Sequence, residues 1–147
     1  MELIFGTNVR EHGHRAGRLA GFELDGTTRR VRKVIFSGDG ELGNHAMARP
    51  FSSVGADSGD VEIRPHTPSE ELRPESVILL SHTTRILRAG HGIGRLIGLD
   101  VAPGTGELQA VVGRKNWWTR RFRVDATSVD LSVPGEVRAG ATSSRAA

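Results

Sequence analysis

The densest gathering of chemically versatile side chains is Arg114-Lys115-Asn116-Trp117-Trp118-Thr119-Arg120-Arg121-Phe122-Arg123, which sets both tryptophans of the chain among five cations and no acid. Guanidinium groups beside indole rings suit docking on an acidic protein surface, or base stacking combined with phosphate pairing. Read as a strand, Trp118, Arg120, Phe122 and Val124 share one face and Trp117, Thr119, Arg121 and Arg123 the other. That alternation predicts one buried indole and one exposed. The structural alternative is a hairpin whose Trp caps the core or seals a seam, with its arginines solvated. Arg114, Lys115, Trp117, Trp118, Arg120, Arg121 and Arg123 are therefore the expected partner-binding residues. A second run, Arg29-Arg30-Val31-Arg32-Lys33, makes Arg29, Arg30, Arg32 and Lys33 a secondary basic patch. Its structural alternative is a strand edge that charge protects from aggregation.

Other constellations carry less. Gly38-Asp39-Gly40-Glu41-Leu42-Gly43 matches G-x-G-x-x-G, but a dinucleotide fingerprint must open a helix. Pro50 follows soon after with no helical pattern between, so this is a hairpin loop. His12 and His14 would share a side of an extended chain, yet a zinc site needs three or four ligands. No metal or cofactor is expected. No acid/base pair or Ser/His/Asp set stands out, and Glu23 and Asp100 flank turns on outer faces, so no catalytic residues are assigned.

These residues need a scaffold, and composition bounds it. The chain has 147 residues, 37% hydrophobic and 25% charged, which excludes collagen and wholesale disorder. It has no cysteine, which removes thiol nucleophiles, disulfides and thiolate metal sites. No apolar run approaches the ~20 residues of a membrane span, and the N-terminus does not read as a signal peptide, so a cytoplasmic location is expected. All but two of the 20 basic residues, Lys33 and Lys115, are Arg, which accounts for a pI near 10.5 at a net charge of only +3. Acids gather in the middle, in Asp57, Asp60, Glu62, Glu70, Glu71 and Glu75.

The chain repeats itself. Displaced by 77 residues, His14–Leu24 falls on His91–Val101, and the match runs without a gap through Val31–Ile35 on Leu108–Val112. Phe51-Ser52-Ser53-Val54 resembles Ala126-Thr127-Ser128-Val129 at an offset of 75. Ala20, Phe22, Leu24 and Ile97, Leu99, Val101 alternate with polar or glycine positions, the period of a half-buried strand. Asp25-Gly26-Thr27-Thr28 and Pro103-Gly104-Thr105-Gly106 are turns, so each copy begins with a hairpin. Gly21 and Gly98 interrupt equivalent strands and predict a bulge or a tight barrel bend. Further strands are expected at Leu3–Thr7, Ala46–Arg49, Val61–Arg64, Val77–Ser81, Trp118–Val124 and Glu136–Arg138. The predicted organisation is unit 1 at 1–66, a Pro-rich linker at 67–75 with at most one helical turn, unit 2 at 76–138, and a disordered tail at 139–147.

Phe5-Gly6-Thr7, Gly17–Asp25, Val31–Phe36 and Arg49–Val54, with Gly94–Val101, Pro103–Leu108 and Val129 in the second copy, resemble the PRC-barrel family. That family includes the cytoplasmic domain of the photosynthetic reaction-centre H subunit and the ribosome-maturation factor RimM. Neither the membrane helix of the former nor the extra N-terminal barrel of the latter is expected within these 147 residues. The resemblance implies an all-β protein of two tandem small PRC-like barrels and a non-enzymatic binding module. Expected partners are a protein subunit of a larger complex or a second copy of the chain, with RNA in a RimM-like role as the alternative. A unit of ~70 residues buries only about 60% of its unfolded surface, so the two copies are expected to pack together with pseudo-twofold symmetry.

Overall fold

A computed structural model describes residues 1–43, 45–57, 59–65 and 76–140. The first half of the chain forms β1 (Glu2–Ile4), β2 (Asn8–Glu11), β3 (His14–Asp25), β4 (Val31–Ser37), β5 (Met47–Pro50), a 3-10 turn (Phe51–Ser53), β6 (Val54–Asp57) and β7 (Asp60–Ile63). The second half forms β8 (Val77–Ser81), β9 (Arg85–Arg88), β10 (His91–Val101), β11 (Leu108–Arg114), β12 (Phe122–Asp125), a 3-10 turn (Ala126–Ser128), β13 (Val129–Asp130) and β14 (Glu136–Ala139). The protein is all-β, as the alternation predicts. The expected linker lies outside the described residues.

The described residues form two seven-stranded sheets. One runs β5-β4-β3-β2-β7-β6 and the other β12-β11-β10-β9-β14-β13, with β8 and β1 as their respective seventh strands. β5 and β6 stand at opposite ends of their sheet, yet only Phe51–Ser53 separates them in sequence. Three residues reach about 10 Å, so the sheet must roll until its ends meet. Ala126–Ser128 forces the same roll on its twin. Among the described residues no ladder joins β5 to β6 or β12 to β13, so the rolled sheets are not closed barrels.

The two copies exchange a strand. β1, from the first half, pairs with β10 through Glu2↔Asp100, Leu3↔Leu99 and Ile4↔Gly98. β8, from the second half, pairs with β3 through Leu79↔Glu23, Leu80↔Phe22 and Ser81↔Gly21. These registers are the same under the 77-residue offset, so each half gives its first strand to the other half's sheet. One hydrophobic core results, in which Leu3, Leu19, Phe22, Leu24 and Val34 sit with Leu80, Leu96, Leu99, Val101 and Val111. The physical need is the one that small units face: neither half has enough apolar area to offset its ordering entropy.

The exchange explains the glycines. The ladders shift register between Leu19 and Gly21 and between Leu96 and Gly98, which are the expected bulges. A Cβ on Gly98 would lie 2.3 Å from the Leu3 carbonyl oxygen, and one on Gly21 3.0 Å from that of Leu80. The lent strand crosses the Gly98 bulge too closely for any side chain, and the Gly21 bulge more tightly than an ordinary Cβ contact.

Several boundaries differ from expectation. The first strand stops at Ile4, where Thr7 N–H bonds back to the Ile4 carbonyl at 3.2 Å. β2 and β9 carry too little alternation to be seen in the sequence. Their hairpins turn on His12-Gly13 and Ala89-Gly90, all four at positive φ, the geometry that matches strand twist. Of the expected tail, Ala139 pairs with both Val129 and Arg88, Gly140 N–H bonds to the Ser128 carbonyl at 3.0 Å, and residues 141–147 lie outside the described residues.

Candidate docking surface

The expected strand Trp118–Val124 is shorter than predicted. Only Phe122–Asp125 pairs with β11, and the residues before it form a turn at the end of the β11–β12 hairpin. Thr119 N–H bonds to the Asn116 carbonyl at 3.1 Å. The Thr119 hydroxyl donates to the same carbonyl at 2.8 Å and accepts from Asn116 N–H at 3.0 Å. A four-residue turn with three such bonds is held tightly, and Trp117 and Trp118 occupy its two central positions. Both are exposed, at 82% and 67% of their surface. The predicted split into one buried and one exposed indole is therefore wrong, because strand alternation does not apply to a turn. Nor does either indole cap the core or seal the seam. The rings stand edge to face, 5.5 Å apart at 87°.

The five cations of this segment divide. Arg123 Nη2 bonds to Asp100 Oδ2 at 2.6 Å, and its Nη1 lies 3.6 Å from Glu2 Oε2. Arg121 Nη1 reaches Glu2 Oε1 at 3.4 Å. The N-terminal amine bonds Asp100 Oδ1 at 3.2 Å and the Val101 carbonyl at 2.9 Å. Burial alone would raise the Asp100 carboxyl. The bonds and positive charges of Arg123 and the amine outweigh it and hold that carboxyl below the usual range. The Arg123 guanidinium is raised in turn, first by its bond to Asp100. Arg121 and Arg123 thus belong to a network that fastens the lent strand β1. Lys115 and Arg120 are exposed and have no carboxylate within ion-pair distance among the described residues. Arg114 is half-buried, and its Nε is enclosed without a hydrogen-bond partner.

The equivalent connection in the first half is an internal control. Residues 38–46 join β4 to β5 as 115–121 join β11 to β12. Asp39 accepts from the Ser37 hydroxyl at 2.9 Å and Glu41 N–H at 3.0 Å, which hold its carboxyl below the usual range, the backbone bond contributing most. Leu42 turns inward, with a methyl 3.2 Å from the Cβ position of Gly21. That loop is acidic and folds back, whereas its counterpart is basic and projects. It opens no helix, so the G-x-G-x-x-G match is a loop.

The secondary patch disperses. Arg29 adopts φ 59° and sends its guanidinium into the other half, where Nη1 donates to the Ala126 carbonyl at 2.8 Å and Nη2 to that of Val129. Arg32 bonds Glu23 at 2.9 Å. Arg30 forms a β-bridge with Glu107, and Lys33 lies within β4, opposite Pro50. Three of the four serve the fold.

A groove of about 920 Å³ lies between β8 and the Val129–Glu136 segment. Val77 and Leu79 are exposed beside it, at 40% and 52%, and the sequence reading missed it because β8 looks like an ordinary core strand. His82 Nε2 meets Glu41 Oε2 at 3.1 Å. Among the described residues no three His, Cys, Asp or Glu side chains are placed to hold a metal ion, and no helix is long and apolar enough to cross a membrane. No protein-family model matches the chain, and no curated protein matches it.

Proposed function

We propose that this protein is a non-enzymatic structural or adaptor module of PRC-barrel type, which docks on a macromolecular partner through the Trp117–Trp118 turn. The exposure of the two adjacent indoles carries this reading. Leaving them in water forgoes several kcal/mol of the burial free energy that side chains of this size can yield. The twin loop makes the same connection with neither, so the fold does not call for them. Lys115, Arg120 and Arg114 set the partner's sign as negative. An acidic surface on a larger cytoplasmic assembly meets that requirement. A second copy approaching turn to turn does so less well, because like charges would meet.

RNA is the second reading. With Arg121 and Arg123 already paired to carboxylates, about three cations remain for phosphates, and log affinity should fall against log salt with a slope near −2 to −3. Photo-crosslinking from position 116, where only the backbone takes part in the turn bonds, tests the docking reading in cells. A discrete adduct that is lost in the Trp117→Ser/Trp118→Ser variant supports it. An adduct sensitive to ribonuclease identifies RNA, and no Trp-dependent adduct of any kind overturns it.

A further inference from the structure

The partner's chemistry can be narrowed further, on the premise that the turn is a docking element. We propose that the Trp117–Trp118 turn is an interfacial anchor, which places both indoles in the headgroup region of an anionic lipid surface with Lys115 and Arg120 against the lipid charges.

Four features of the site combine to favour this. First, the indoles are the two central residues of an exposed turn, and they lie outside the groove beside β8. A folded partner would need a preformed cavity for them, whereas a bilayer surface deforms around a protrusion. Second, the rings meet edge to face at 87°. That arrangement occupies one ring's face with the other's edge, which spoils the parallel platforms on which successive bases stack. It does not hinder entry into the interfacial layer, where amphipathic indoles concentrate whatever their mutual angle. Third, the cations left unpaired by Asp100 and Glu2 are those on the turn itself, so positive charge and apolar surface coincide. Basic residues close to an anionic leaflet each contribute about 1 kcal/mol, and a weak apolar insertion becomes stable with such a second signal. Fourth, the Asn116–Thr119 bonds fix the tip before binding, so little ordering entropy is lost on insertion.

The insertion is peripheral: the anchor is a turn, and the sheet behind it stays in water.

The test uses the full chain and vesicles of phosphatidylcholine with or without phosphatidylglycerol. Trp117 and Trp118 are the only tryptophans and there is no tyrosine, so intrinsic emission reports on this turn alone. With phosphatidylglycerol present, emission shifts to the blue, acrylamide quenching falls, and the chain sediments with the vesicles. Pure phosphatidylcholine gives none of these effects. Lys115→Ala/Arg120→Ala weakens partitioning by on the order of tenfold or more. Trp117→Ser/Trp118→Ser abolishes sedimentation while its melting temperature stays near that of the parent, since neither ring is buried. A full chain that ignores anionic vesicles overturns the lipid proposal. If that chain still gives a Trp-dependent protein or RNA crosslink from position 116, docking stands and the lipid surface is wrong. If it gives neither, both readings fall.

Discussion

Arg30 forms an isolated antiparallel bridge with Glu107, and Glu107 is the residue that the 77-residue repeat makes equivalent to Arg30. A residue that pairs with its own counterpart lies on the symmetry axis. The flanking bonds agree: Val31 N–H reaches the Gly106 carbonyl at 2.8 Å, and Leu108 N–H reaches that of Arg29 at 3.2 Å. Each bond is the other's image under the repeat. The two hairpin tips therefore meet at a pseudo-twofold axis, and the strand exchange operates about that same axis.

Cooperativity follows from the exchange. Each sheet takes one strand from the other half, so the full chain should unfold in a single calorimetric transition. Fragments 1–65 and 76–147 should each lack β structure by circular dichroism and regain it on mixing. Two resolved transitions, or fragments that fold separately, would contradict the shared core.

Gly98 should be intolerant of substitution. Gly98→Ala sets a methyl against backbone rather than a movable side chain, and should cost about 1–3 kcal/mol by denaturant titration. Gly38→Ala, where nothing lies within 4 Å, should change stability by less than about 1 kcal/mol.

Arg29 joins a strained backbone to a tie between the halves. Arg29→Ala removes both guanidinium bonds and keeps an unfavourable positive φ, and should cost about 2–4 kcal/mol. Arg29→Gly loses the same bonds but relieves the backbone, so it should be the less damaging by about 1 kcal/mol. Equal losses would show that the backbone at this position is not strained.

Acid should loosen β1. The Asp100 carboxyl ionises below its usual range in the folded chain, so its contribution is complete above about pH 4 and is lost as pH falls through the lowered value. Stability should decline with acid over that window. Asp100→Asn should be less stable at neutral pH, with the two stability curves converging as pH approaches about 2. Parallel curves for the two proteins would remove Asp100 from this role.

The repeat, the hairpins from Ala20 and Ile97, and the bulges at Gly21 and Gly98 were legible in the sequence, because period-two alternation and glycine placement are local consequences of backbone geometry. So was the clustering of Trp117 and Trp118 with cations. What sequence could not show was which sheet each strand joins. Leu3 and Leu80 have the pattern of core strands in either half, and only the closing of one shared core directs β1 to β10 and β8 to β3. Nor could sequence divide the arginines: Arg29 turns inward to carbonyls about 100 residues away, Arg123 closes on Asp100, and Lys115 and Arg120 stay open. Residue type sets what a side chain can bind, but long-range packing decides whether its partner lies within the protein or outside it.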